Sequence, residues 1–325
     1  MAAFWKKGLG MGVGAGLLGA AVVALRLRAR PLPQPSLPDI ISPAVFARRV
    51  QRTTRGQIVY HASGEGEPIV FLHDFFPGAA SYEWSKVYPR FASTHRVLAP
   101  DWIGFGESER PDRPLRAEDY AQCLHEFCRA TCGGRRPVIV ASGIGAALAC
   151  LAAAQHPEFS ARLLLFHPVG SRESVDGWLP STWRMMAWTC RGRKWIYANR
   201  LAQPSSIERW LAQRRSAGPE LDLAEPVSVY SSFARQYGAG WAIQRMMSGR
   251  FQTAALPRLE QVCVPMTIWW PGQRAGSPPE IPVARAQARL EWLDDSGPLA
   301  PLDRADDLAA RLQVELFQPV RVVGG

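Results

Sequence analysis

At 325 residues, with 47% hydrophobic and 10% aromatic side chains, the chain has enough apolar content for one large domain with an insertion or for two small ones, and wholesale disorder is excluded. Its 38 Lys and Arg against 28 Asp and Glu leave a formal charge of +10, which favours acidic surfaces such as anionic lipid. The basic residues are scattered and no nucleic-acid motif is present, so a nucleic-acid partner is not expected.

From Gly8 to Leu25 the chain carries no charge. As a helix this run would be about 27 Å long at about 1.5 Å per residue, enough for the hydrocarbon core of a bilayer. Lys6 and Lys7 bound it on one side, and Arg26, Arg28 and Arg30 on the other, while Phe4 and Trp5 suit an interface. Gly8, Gly12, Gly16 and Ala20 recur every four residues and would let another membrane helix approach closely. A cleaved signal peptide also places an apolar run behind lysines, but here an Arg-rich stretch follows at once and no A-x-A site is evident. Residues 1–30 therefore predict a retained single-pass anchor, with membrane lipid and a membrane protein as partners. The arginines after it put the rest of the chain on the cytoplasmic side. Residues 31–55 read as a tether stiffened by Pro31, Pro33, Pro35 and Pro38, ending in an amphipathic segment, ISPAVFARRVQ, suited to a lipid surface.

Residues 56–170 alternate strands with helices: strands Gly56–Ala62, Pro68–His73, Arg96–Pro100 and Arg162–His167, and helices over about Ser81–Phe91 and Ala117–Cys132. Such alternation implies a mostly parallel sheet covered on both faces. Residues 171–257 read as a helical cap rich in Trp and Arg, in which Trp183, Trp188, Arg191, Arg193, Lys194 and Trp195 form a candidate partner surface. Residues 258–325 return to the sheet with strands Val264–Trp270 and Ala288–Leu293 and close with a helix over Leu302–Val314. The six cysteines show no disulfide spacing. His125, Cys128 and Cys132 share one helix face, but with no fourth ligand evident they read as core, and neither a metal nor a cofactor is expected.

The stretch Pro137–Ala149, PVIVASGIGAALA, joins a buried strand to an Ala-rich helix through a turn of small residues. A dinucleotide-binding turn is a poor match, because Leu148 stands where a third glycine or alanine belongs and the next strand ends in Phe166 and His167 rather than an acid. Instead, this stretch together with FLHDFFPGAASYEW and DWIGFGESERP, a D-x-x-G-x-G-x-S segment, resembles the α/β-hydrolase family over roughly residues 56 to 318. The resemblance implies an α/β-hydrolase fold with a mostly parallel central sheet flanked by helices and a helical cap insertion, here preceded by one N-terminal transmembrane helix.

It also implies a nucleophile, an acid and a histidine arriving in that chain order. Small residues flank the nucleophile in this family, and only a register centred on Gly143, between Ala141 and Gly145, provides them. The nucleophile position is therefore a glycine. The acid position after the seventh strand reads Gln273, with Glu173 or Asp176 as substitutes after the sixth, and the histidine position falls at Pro298. No histidine lies beyond His167. The remaining pocket residues are His73, Asp74, Phe75, Phe76, Trp102 and Ser142, with the Ser142 side chain expected to point away from the pocket. The chain is thus expected to be a membrane-anchored pseudoenzyme serving as a scaffold or accessory subunit. Two alternatives are a receptor-like binder of a small apolar ligand beneath the cap and an active hydrolase with a non-standard site.

Overall fold

Eight strands form one sheet in the order β1-β2-β4-β3-β5-β6-β7-β8. They are β1 (Ala47–Thr53), β2 (Gly56–Ser63), β3 (Pro68–Leu72), β4 (Arg96–Pro100), β5 (Val138–Ser142), β6 (Arg162–Phe166), β7 (Met266–Pro271) and β8 (Ala288–Leu293). The pairs β1–β2 and β2–β4 are antiparallel, and every later pair is parallel. The coordinates are a computed structural model, and the structure describes residues 46–179, 183–217, 221–253, 261–272 and 288–317. The anchor stripe Gly8, Gly12, Gly16 and Ala20, the proline tether and Gln273 lie outside these residues. Among the described residues no helix is long and apolar enough to cross a membrane.

The central strands are apolar on both faces because both faces are covered. In β3 the side chains of Val70 and Leu72 enter one core and those of Ile69 and Phe71 the other, and β6 divides in the same way. The first core is closed by helices α1 (Ala117–Thr131) and α2 (Gly143–Gln155) and by the cap, and the second by the C-terminal helix, Ala305–Phe317. The cap is helical: α3 (Ser171–Trp178), α4 (Cys190–Ile196), α5 (Pro204–Gln213), α6 (Ala224–Ala234) and α7 (Gly240–Met247).

Three expectations are corrected. Half of the segment expected to rest on lipid, from Ala47 onward, is the edge strand β1, paired along its length with β2, so the sheet begins before residue 56. Its charged side chains are those of a solvated edge rather than a lipid-facing helix. The helix expected over Ser81–Phe91 is two 3-10 turns, Ser81–Trp84 and Tyr88–Phe91, since Pro89 has no N–H to continue a helix. The closing helix begins after a separate turn at Ala300–Asp303.

The D-x-x-G-x-G-x-S segment acts as a clamp. One oxygen of the fully buried Asp101 accepts from Ser81 N at 2.6 Å and the other from Glu107 N at 2.7 Å. Ser108 Oγ donates to Asp101 O and accepts from Val59 N. A β carbon at Gly106 would overlap the Asp101 carboxylate. This clamp fixes the turn that carries Glu83. Asp101→Ala leaves two buried amides without acceptors and is expected to cost about 3 kcal/mol, read as a lowered urea midpoint at unchanged slope.

Candidate functional site

The chain leaves β3 toward β4 on one side and returns to β5 on the other, so the carboxyl ends of β3 and β5 flank a topological switch point, where open α/β sheets place their sites. Asp74 follows β3, Gly143 follows β5 and His167 follows β6, and all three line one small cavity of about 20 Å³. Gly143 sits at φ +53° in the turn from β5 into α2. A β carbon there would overlap the Asp74 carboxylate. The space that a side chain at residue 143 would occupy is therefore filled by a carboxylate from the neighbouring loop.

Asp74 is held tightly. Its Oδ1 accepts from Phe75 N at 2.6 Å and from Ile144 N at 2.7 Å. These are the amide next to Asp74 on its own loop and the amide directly after the elbow position, the pair that would otherwise serve an oxyanion. Asp74 N donates to Glu83 Oε2 at 2.9 Å, and Ser142 Oγ donates to Glu83 Oε1. Burial pushes Glu83 up to about 8, with the nearby Asp74 adding to the shift. Burial raises Asp74 too, but Arg214 and the two amides oppose it. The net shift of Asp74 is also upward, so the two adjoining carboxyls share a proton near neutrality, and Arg214 and the two amides on Oδ1 favour the charge on Asp74.

The cap supplies the other wall. Arg214, just past α5, lies over the Trp210 ring at 4.4 Å. Trp210 Nε1 and Tyr230 Oη are buried without a hydrogen-bond partner among the described residues, and both side chains line the cavity. Burial holds the Tyr230 phenol well above its ordinary range, so it stays protonated. Two donors unused among the described residues and a cation therefore line the same cavity as the Asp74 carboxyl group. His167 also lines the cavity and is pushed down to about 3, first by burial and then by Arg214, so it is neutral.

The residues singled out from the sequence divide among three places. Asp74, Phe76, Ser142, Gly143 and Pro298 meet at the cavity. The Ser142 hydroxyl, expected to point away, instead lies against Glu83 beside Gly143. His73 and Trp102 are structural: His73 Nδ1 donates to Asp74 O, His73 Nε2 accepts from Trp102 N, and Trp102 Nε1 donates to His73 O. Phe75 turns its ring into a different cleft.

Asp176, a substitute acid by sequence, pairs with Arg184 on the cap surface at 2.9 Å, away from the cavity. In the expected partner surface Trp188 is exposed and Arg191 solvated, whereas Trp183 packs on Trp195, and Arg193 and Lys194 line a cleft. Sequence reasoning missed Glu83, Trp210, Arg214 and Tyr230 as site residues. Glu83 carried a signal, a lone acid between Tyr82 and Trp84, but nothing linked the cap residues to Asp74 before the cap was seen docked.

Residues 69–311, more than half of the chain, match the model of the α/β-hydrolase family, and the chain belongs to that family. It is 31% identical over 128 residues to 2-hydroxymuconate semialdehyde hydrolase of Pseudomonas sp. strain CF600, covering 38% of this chain and 44% of that protein. It is 35% identical over 97 residues to a haloalkane dehalogenase of Mesorhizobium japonicum, covering 30% of each. The chain thus spans less than half the length of these curated relatives. Its fold matches a crystal structure of a serine hydrolase involved in carbazole degradation with a TM-score of 0.66 at 17% identity, over 83% of this chain and 98% of that one. These names correct the expectation of a non-catalytic scaffold or complex subunit, because these relatives are named for hydrolytic and dehalogenating activities.

Two outcomes check the geometry. Gly143→Ala should cost clearly more than the roughly 1–2 kcal/mol of an unfavourable left-handed backbone, and in an Asp74→Ala background the excess should vanish, as a double-mutant cycle by urea denaturation would read. Glu83 keeps its proton up to about 8 when folded but loses it near 4.5 when unfolded, so it lowers stability as pH rises across that window. His167 acts in the opposite sense only below its ordinary 6.5. Between pH 6.5 and 8 the wild type should therefore lose about 1.5 kcal/mol more than Glu83→Gln, measured by denaturant titration at each pH.

Proposed function

We propose that this member of the α/β-hydrolase family is a hydrolase in which Asp74, delivered from the loop after β3, is the nucleophile, and that it acts on an apolar substrate at a saturated carbon bearing a leaving group. The observation that carries the reading is the position of the Asp74 carboxylate, which fills the site of the absent elbow side chain while Oδ1 occupies the paired amides of Phe75 and Ile144.

With those amides taken, an acyl substrate has no donors for its own oxyanion, which disfavours ordinary ester cleavage. Displacement at carbon needs none. Asp74 Oδ2 forms the new C–O bond, and the leaving group departs with the bonding electron pair. Tyr230 O–H, Trp210 N–H and the Arg214 guanidinium are placed to hold the departing halide or epoxide oxygen. The resulting ester keeps its carbonyl oxygen, Oδ1, between the same two amides. When water adds to the carboxyl carbon, the tetrahedral oxyanion forms where it is already stabilised. The alcohol then leaves and the carboxylate returns, and the proton given up by water goes to solvent after a halide or makes good the proton taken by the alkoxide after an epoxide. His167, pushed down to about 3, is a weak base for that water, so the second step is slow and the ester accumulates.

Substrate class follows from access. A cavity of about 20 Å³ holds roughly one water. The Phe76 and Trp210 rings, 4.3 Å apart, separate it from a cleft of about 200 Å³ that they also line, together with Leu179, Ile196, Leu201 and Ile207. An alkyl group fits that cleft, and its reacting carbon reaches Asp74 when the two rings part. The uncharged run Gly8–Leu25 is read as a bilayer anchor, which would bring the cleft close to a source of apolar molecules.

The test is incubation of the full chain with bromohexane and with epoxyhexane, followed by intact mass and product analysis. A hexyl or hydroxyhexyl adduct on Asp74, slow release of alcohol or diol, and oxygen-18 from labelled water entering the Asp74 carboxylate are expected. Asp74→Asn should lose on the order of a thousandfold or more. Ester turnover that survives Asp74→Asn, with no adduct from either probe, would overturn the reading.

A further inference from the structure

A second cavity, of about 310 Å³, lies between the loop after β4 and the cap helices α4 and α7, and it shares no lining residue with the Asp74 cavity. Its floor is apolar: the rings of Phe75, Tyr120 and Phe251, each nearly fully buried, pack together with centroids 5.2 to 5.9 Å apart. Its rim is cationic, with Arg110, Arg113, Arg193, Lys194 and Arg245 against the single acid Asp112.

None of the five cations is ion-paired among the described residues. Arg193 is fixed in place, since its Nη1 donates to Ala187 O at 2.8 Å and to Trp188 O at 3.0 Å. Arg110 is tied through Nη2 to Gly106 O, which leaves its Nε buried and without a partner. The Arg245 side chain has no acceptor among the described residues, and the charges acting on it are Arg193 and Arg250, which repel it. Asp101 and Glu107 act favourably on Arg110, but Arg193 and Arg245 converge on the aromatic floor with no ion pair among the described residues, a cost in free energy that a bound anion would offset, and guanidinium forks match carboxylate and phosphate oxygens.

We infer that this cleft binds a small anionic amphiphile, with a carboxylate or phosphate head among Arg110, Arg193 and Arg245 and a short apolar tail over Phe75, Tyr120 and Phe251. The volume lies at the lower end of the range for small-ligand pockets, which suits a short tail. A free acid or phosphate ester and the headgroup region of an anionic lipid present the same chemistry. The inference stands apart from the role of Asp74.

Isothermal titration of the full chain with octyl phosphate, octanoate, octanol and inorganic phosphate tests it. One saturable site for octyl phosphate and octanoate is expected, with octanol and inorganic phosphate each at least about tenfold weaker. Arg245→Glu, which breaks no hydrogen bond among the described residues, should weaken octyl phosphate at least tenfold with an unchanged near-ultraviolet circular dichroism spectrum, while Arg129→Glu on the exposed face of α1 should not. Flotation with phosphatidate vesicles that is lost in Arg245→Glu would support a lipid headgroup as the source, and titration without flotation would support a soluble ligand. Octanol binding as tightly as octanoate, or an Arg245→Glu variant that binds octyl phosphate like the wild type, would overturn the inference.

Discussion

The contact on which the site depends is that of one carboxylate oxygen with two backbone amides, Asp74 Oδ1 with Phe75 N and Ile144 N. It exists because residue 143 has no side chain. A glycine at φ +53° allows the sharp turn from β5 into α2 and leaves a gap the size of a β carbon, which the Asp74 carboxylate fills. Everything nearby follows from placing a charge there. Burial makes ionisation of Glu83 costly and the neighbouring Asp74 adds to that cost, which pushes Glu83 up to about 8. Arg214 is held inside the cap against the resulting charge, and its own field helps keep His167 neutral. Burying an unpaired carboxylate would cost several kcal/mol, so the two amides and the guanidinium are conditions of its presence rather than additions to it.

Most of the sheet was legible in the sequence. Arg96–Pro100 and Ala288–Leu293 are the strands read from their residues, because runs of apolar residues between turn signals have few other stable conformations. β1 was not legible. An edge strand has one free side and tolerates charge, so ARRVQRT carries the same alternation of basic and apolar residues as a lipid-surface helix. Only its pairing with β2 decides between the two readings. The sharp turn at Gly143 was legible from the small residues two before and two after it, since these are demands of local backbone geometry.

The occupant of that position was hidden, for a physical reason. Asp74 is 69 residues from Gly143 in sequence, and whether its carboxylate enters the gap depends on the loop after β3 being fixed by Glu83 and by the Asp101 clamp. Trp210, Arg214 and Tyr230 belong to two cap helices or their ends, and their convergence depends on how the cap docks. Residue type alone favoured reading the cap tryptophans and arginines as a surface. Trp188 is indeed 83% exposed, whereas Trp210 has its indole nitrogen buried and, among the described residues, unpartnered.

Moving the carboxylate from the elbow to the adjacent loop also changes which chemistry the fold can perform. A nucleophile carried on the elbow leaves the paired amides open to a substrate oxygen, and carbonyl substrates then gain transition-state stabilisation from them. Here one oxygen of the carboxylate occupies those amides before any substrate arrives, so their hydrogen bonds are already made in the ground state and give a carbonyl substrate nothing further. The same hydrogen bonds regain differential value only if the oxygen they hold changes charge during the reaction. That oxygen is Asp74 Oδ1. In the reaction proposed here it becomes an ester carbonyl on alkylation and an oxyanion when water attacks, which is the case for alkyl over acyl transfer. The Trp210 and Tyr230 donors, without partners among the described residues, suit the same step, because a leaving group developing negative charge beside them would supply one.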